Sequence, residues 1–309
     1  MYYAAIVLLY WLVIIVAGLL VIGYAYEHIA GQRNRPPGRM VSVNGHRIHL
    51  LCKGITGPTV VIEQGAGELS RFWWPMQDQA AKFARVCTYD RAGYGWSDPA
   101  KPGRTITDRA EELRMLLLNA GMEAPYLLVA HSYGGLIVRS YAEQHPEEIA
   151  GLVLVDTPEE STLFRREVLD FYSKMRTLNR IIGVFAQFGM FRLLRLERYG
   201  LGLSRPAEYT ALCDDLASLE LVPQTDRASK QTGSYGALPV VVITHGKPFP
   251  GPFAVLERDW SGGQQRLAAL STNGILMVAA NSNHMIQQDE PELVLDAIRR
   301  LHHSISTQV

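Results

Sequence analysis

The chain has 309 residues, 48% of them hydrophobic, and its 30 Lys and Arg balance 30 Asp and Glu to a formal net charge of zero. That composition suffices for a large core, and the charge balance, with no long basic run, leaves no electrostatic footprint for nucleic acid. The three cysteines, Cys52, Cys87 and Cys213, are odd in number and lack C-x-x-C spacing, which argues against a disulfide framework or a zinc site.

In chain order, the first feature is an uncharged run from Tyr2 to Tyr26. About 20 apolar residues cross a bilayer as a helix. Tyr2, Tyr3, Tyr24 and Tyr26 cluster at the two ends, where interfacial aromatics sit. A cleaved signal peptide would want a basic start and a shorter apolar stretch. Residues 1–27 are therefore expected to be a single-pass membrane anchor in contact with lipid. Residues 28–39, with Pro36-Pro37-Gly38, read as a stiff linker. Arg33, Arg35 and Arg39 follow the run, so the positive-inside tendency puts the remaining chain on the cytoplasmic side.

The next segment, Val41 to Leu50, alternates apolar residues about Asn44-Gly45, a strong hairpin signal. Strand-like runs then lie at 59–63, 85–89, 126–130, 151–155, 239–244 and 275–280. Cys52 and Cys87 fall in or beside such runs and read as buried free thiols. Helix-like stretches lie at 107–120, 133–145, 260–271 and 290–303. The later strands are nearly continuous in Val, Ile and Leu, as parallel strands covered on both faces are. Strand and helix in alternation predict an α/β fold with a doubly wound, mostly parallel sheet. From 158 to 237 the rhythm breaks. No strong strand occurs there, only amphipathic stretches such as Leu163 to Met175 and Asn179 to Leu196. The interval is too long for a plain connection and reads as an inserted helical unit. The core is then expected at 40–157 and 238–309.

The chemistry gathers around Leu127-Leu128-Val129-Ala130-His131-Ser132-Tyr133-Gly134-Gly135. An apolar strand runs into Ser132, and small residues lead into a helix. A serine on such a tight turn has its hydroxyl exposed, provided that the residues two before and two after are small, here Ala130 and Gly134. A serine hydroxyl is a weak nucleophile unless an imidazole takes its proton and a carboxylate orients that imidazole. Upstream lie the Gly-rich loop Gln64-Gly65-Ala66-Gly67 and the string Asp90-Arg91-Ala92-Gly93-Tyr94-Gly95-Trp96-Ser97-Asp98. Near the C-terminus stands Asn281-Ser282-Asn283-His284. With these four segments in this order, residues 40–305 resemble the α/β-hydrolase family.

The resemblance implies a triad in the chain order nucleophile, acid, histidine. Ser132 and His284 match its first and last members. Of the nine histidines, His245 is the one rival to His284. His131 is expected to point away from the turn, and His302 and His303 to lie on a surface. The family's commonest acid position is the loop Thr244 to Phe249, which holds no carboxylate here. Some members carry the acid at the preceding strand end, where Asp156 stands. Glu159, Glu257 and Asp259 are reserves, and a merely turn-capping Asp156 is the alternative. Backbone N–H groups of Tyr133 and, by resemblance, of Ala66 would hold the oxyanion. The resemblance also makes 158–237 a cap over the site. Phe185, Phe188, Met190 and Phe191 are candidates for its pocket lining, for membrane contact or for its own core. Arg91 reads as structural, and Trp73 and Trp74 as a pocket wall or a helix anchor.

The expected function is that of a serine hydrolase acting on a small-molecule ester or acyl substrate through an acyl-enzyme, with no cofactor and no metal. The same triad also serves amide or peptide hydrolysis, carbon–carbon hydrolysis and acyl transfer. A non-catalytic binding protein on this scaffold is the remote alternative.

Overall fold

The computed structural model describes residues 2–31, 35–55, 57–188, 203–221 and 232–307. Its centre is an eight-stranded sheet in the order β1-β2-β4-β3-β5-β6-β7-β8. The strands are β1 Arg39–Val43, β2 His46–Lys53, β3 Val60–Glu63, β4 Val86–Tyr89, β5 Tyr126–His131, β6 Ile149–Val155, β7 Val240–His245 and β8 Gly274–Ala279. β1 and β2 form the expected hairpin, and Asn44 and Gly45 both take positive φ, 48° and 87°, as a two-residue turn of this hand demands. β2 is antiparallel to both its neighbours, and every pairing from β4 to β8 is parallel.

The helices of the core are α2 Trp74–Ala80, α3 Ile106–Asn119 and α4 Gly134–Gln144. Between β6 and β7 come α5 Glu160–Leu163, α6 Arg166–Ala186 and α7 Pro206–Ser218. α8 Trp260–Ala269, α9 Ile286–Asp289 and α10 Pro291–Ser306 complete the chain. Alternate residues of each central strand feed opposite cores. Leu127, Val129, Val153 and Val155 pack with Val294, Ile298 and Leu301 of α10. Leu128, Ala130, Leu152 and Leu154 pack with Leu113 and Leu116 of α3 and Ile137 of α4. A strand covered on both faces must be apolar at every position, which is the pattern read in the sequence. The order reversal between β3, β4 and β5 puts the loops after β3 and β5 side by side at the strands' carboxyl ends, where open α/β sheets hold their ligands.

Two expectations need correction. The N-terminal run does form a helix, α1 Tyr2–Gly31. Among the described residues, however, no helix is long and apolar enough to cross a membrane. The anchor at 1–27, its lipid contact and the cytoplasmic placement drawn from it are therefore not upheld. Secondly, Cys52 and Cys87 are not free thiols. They are direct partners across β2 and β4 and form a disulfide. Their spacing gave no hint of this, because the pairing depends on which strands become neighbours. Cys213 is free.

Candidate active site

Ser132 follows the last residue of β5, and its backbone takes φ 50°. A left-handed conformation is strained in a residue with a side chain, and surrounding structure must enforce it. Here the sheet ladder holds Ser132 N–H to Val155 O at 3.0 Å, while the chain turns at once into α4. Gly134 permits that turn. A Cβ there would lie 2.7 Å from Gln64 O and 2.8 Å from Glu63 O, so only glycine lets α4 start this close to the loop after β3.

The three side chains singled out in the sequence meet. Ser132 Oγ is 2.9 Å from His284 Nε2, and His284 Nδ1 is 2.7 Å from Asp156 Oδ2. A nitrogen facing a carboxylate carries the proton, so Nδ1 donates to Asp156 and Nε2 is left to accept from the serine. Asp156 follows the last residue of β6, has φ 48° and is fully buried. Burial alone would raise its pKa. The hydrogen bonds from His245 and His284 outweigh that and hold the carboxyl well below the usual range. Trp260 Nε1 also donates to Oδ1, at 2.9 Å. For His284, burial lowers the pKa and the bond to Asp156 raises it. The neighbouring His131 tips the balance, leaving the imidazole below its ordinary 6.5. The arrangement therefore holds His284 neutral near pH 7, with its free lone pair on the serine.

Two histidines take places that sequence reading did not give them. His245 is not beside Ser132. It lies on the far side of Asp156, with Nδ1 2.7 Å from Oδ2, and its Nε2 is 3.4 Å from Glu257. His131 does not turn away. Its Nε2 donates to His284 O at 2.9 Å, its Nδ1 is 2.7 Å from Glu68 Oε1, and its ring centroid is 4.6 Å from that of His284. Burial opposes charge on both members of this pair. Glu68 nevertheless raises His131 above its ordinary value, and the His131 charge holds the Glu68 carboxyl down at about 2. Glu68 also accepts from Gly65 N–H at 3.0 Å and Trp73 Nε1 at 3.2 Å. Sequence reading missed Glu68; its place three residues after Gly65 was the available signal.

The reserve carboxylates sit elsewhere. Glu159 pairs with Arg266 at 3.0 Å and Asp259 with the same arginine at 2.8 Å. Glu257 accepts from Phe249 N–H at 3.0 Å and lies 3.4 Å from the outer nitrogen of His245. Trp73 is fully buried, as an anchor would be, and Trp74 stacks on Trp96. His302 is buried, against expectation.

Above Ser132 lies a cavity of about 330 Å³, lined by Gly65, Ala66, Ser132 and His284 on the sheet side. Phe171, Tyr172 and Met175 of α6 and Leu212 and Leu216 of α7 supply much of its apolar wall. Of the residues put forward from the sequence, Phe185 and Phe188 do not line this cavity. Phe185 is exposed, and Met190 and Phe191 lie outside the described residues. Among the described residues, the N–H groups of Ala66 and Tyr133 have no acceptor, and Ala66 faces the same cavity as Ser132.

The sequence pattern described as alpha/beta hydrolase fold matches residues 58–291. The uncharacterized protein YqjL of Bacillus subtilis strain 168 is 29% identical over 246 residues, which are 80% of this chain and 84% of the relative. Among solved structures, MGS-M2, an alpha/beta hydrolase from a Medee basin deep-sea metagenome library, superposes with TM-score 0.69. The identity is 16%, over 85% of this chain and 96% of that one. The esterase EaEST of Exiguobacterium antarcticum gives TM-score 0.67 at 17% identity, over 86% and 99% of the two chains. The matched span takes in the whole sheet from β4 to β8, Ser132, Asp156 and His284. This chain belongs to the α/β-hydrolase family and is a hydrolase enzyme.

Proposed function

We propose that the protein is a serine hydrolase of carboxylic esters with an apolar acyl group, working through an acyl-enzyme. The observation that carries this reading is the unbroken hydrogen-bonded line from Ser132 through His284 to buried Asp156, opening on an apolar cavity. In this reading His284 Nε2 takes the Ser132 proton as Oγ attacks the acyl carbon. Asp156 holds the tautomer and stabilises the imidazolium. The Ala66 and Tyr133 N–H groups bind the developing oxyanion, each donor being worth roughly 3–4 kcal/mol in such a site. His284 returns the proton to the departing alkoxide. Water then repeats the attack on the ester of Ser132 and frees the acid.

Residues 40–157 and 238–309 are the catalytic core in this proposal, and 158–237 the cap that shapes the acyl pocket. A cavity of about 330 Å³ lies at the small end of the range for ligand sites, which favours short and medium acyl chains over long ones. A series of p-nitrophenyl esters of rising chain length tests this. The expected result is a rate that peaks at short to medium length and is abolished in Ser132→Ala. A rate that keeps rising to long acyl chains overturns the pocket assignment, and undiminished turnover in Ser132→Ala overturns the mechanism.

A further inference from the structure

The two N–H groups assigned to the oxyanion belong to residues that are both tied to the last turn of α7. On one side, Arg91 Nη2 donates to Gly65 O at 2.7 Å and Nη1 to Gln64 O at 2.6 Å. A trans peptide is planar, with its C=O and N–H on opposite sides. Fixing Gly65 O therefore fixes the direction of the Ala66 N–H. Arg91 is held in turn by Glu63 Oε1 at 2.6 Å and by Asp215 Oδ2 at 3.0 Å. Beside it the Tyr94 hydroxyl accepts from Gly67 N–H at 3.3 Å and donates to Asp215 Oδ2 at 2.8 Å.

On the other side stands Tyr133. Its ring centroid is 5.4 Å from the Arg91 guanidinium carbon, and its hydroxyl lies 2.7 Å from Ser218 Oγ. Ser218 spends its own proton on Asp215 O at 2.7 Å, so Tyr133 donates to Ser218. Asp215 also meets Arg109 Nε at 3.1 Å. Asp215, Ser218, Arg91 and Arg109 are all nearly inaccessible to solvent. Buried, multiply bonded charges of this kind are costly to separate, so the contact is stiff.

We propose that Asp215 and Ser218 are positioning residues for the oxyanion hole, through which the inserted helix α7 aligns the Ala66 and Tyr133 N–H groups with Ser132. This rests on the serine-hydrolase reading above. On this account the inserted helices do more than wall the pocket. When α7 is seated both donors point at the tetrahedral oxygen, and when it shifts they lose direction together while the Ser132–His284–Asp156 line stays intact. Ground-state binding depends on the apolar wall and is spared. The transition state, which alone carries the oxyanion, is not.

The test compares the full-length wild type with Ser132→Ala, with Asp215→Asn, and with the double variant Tyr94→Phe/Ser218→Ala, which leaves every buried charge in place. Two quantities are read: p-nitrophenyl ester kinetics, and the affinity of phenylboronic acid, which forms a tetrahedral adduct on an activated serine. For Asp215→Asn, kcat should fall about 10- to 100-fold, the scale of a misdirected oxyanion donor. KM should stay within about two-fold, marking loss of an interaction made only in the transition state. Boronate affinity should weaken in parallel, and the acid limb of the pH profile should not move. If Asp215→Asn is not recovered folded, the double variant decides, with a fall of about 10-fold expected in the same two readouts. Folded variants with wild-type kcat and boronate affinity, and only a lower unfolding temperature, would reduce the network to a structural role and overturn the proposal. Undiminished turnover in Ser132→Ala would instead remove the nucleophile assignment beneath it. Loss in Ser132→Ala with unchanged Asp215→Asn would sink this inference alone.

Discussion

Along β5, Leu127 and Val129 face α10 while Leu128 and Ala130 face α3 and α4, and all four are fully buried. Along α7 the buried positions include Glu208, Asp214, Asp215 and Ser218 beside Tyr209 and Ala211. The sheet is held by apolar burial, which is non-directional and tolerant of small shifts. The inserted helix is seated by ion pairs whose partners are distant in the chain. Arg91 and Asp215 are 124 positions apart, and Arg109 and Asp215 are 106 apart. Apolar layers tell a strand which way to face but not where a helix must stop along its groove. Directional pairs do specify position, at the cost of desolvating charge. The proposed reading uses both: a sheet end fixed by apolar layers, and directional pairs that seat α7.

The difference between the two regions predicts how each responds to substitution. The largest effect is expected where they meet. Asp156→Asn keeps the shape of the sheet end but offers His284 the wrong hydrogen-bonding partner, so kcat should drop about 10³–10⁴-fold. The variant's ester kinetics check this, and full activity would hand the acid role to another carboxylate. In the sheet, Leu154→Ala should lower unfolding free energy by about 2–4 kcal/mol, as buried leucine truncations do, while kcat of the folded protein is retained. Denaturant titration measures the first and ester kinetics the second. In the insertion, Leu212→Ala should do the reverse. Stability should change by less than about 1 kcal/mol, because the side chain is only partly buried and lines a cavity. Preference should shift about 10-fold toward a longer acyl chain. If Leu212→Ala destabilises as much as Leu154→Ala, the contrast between the regions fails.

The smallest effect is a displacement in pH. His284 must be neutral to accept the serine proton, so kcat/KM falls as pH drops through its pKa. Burial and the neighbouring His131 put that pKa below the ordinary 6.5. The charged and titratable groups around it are Asp156 just after β6, His131 at the end of β5 and Glu68 after β3. The acid limb of the kcat/KM profile should therefore have its midpoint below 6.5. Replacing His131 with glutamine removes a cationic neighbour, so the limb should move upward. A limb above the ordinary imidazole value in the wild type would contradict the assignment of charge.

The sheet was legible because its signals are local. Two-sided apolar runs, Asn44-Gly45, and small residues about Ser132 each act over a few positions, and the structure realises each of them in place. That Ser132, Asp156 and His284 meet was legible through their positions just after strands or in the loops that follow them. What escaped depended on which parts of the chain become neighbours. Cys52 and Cys87 face each other only because β2 lies beside β4. His131 was expected to diverge from the turn, yet Glu68 draws its ring against His284. Arg91 looked like one more turn residue until Asp215 met it from the insertion. The N-terminal run failed differently: uncharged length suggested a span, and among the described residues no helix is long and apolar enough to cross a membrane.

The most direct test of the central claim is to react the purified protein with a fluorophosphonate and map the adduct by peptide mass spectrometry. The account predicts a single stoichiometric phosphonyl adduct on Ser132, lost in Ser132→Ala and strongly slowed in His284→Ala. An adduct on another serine, or none on well-folded wild-type protein, would contradict it.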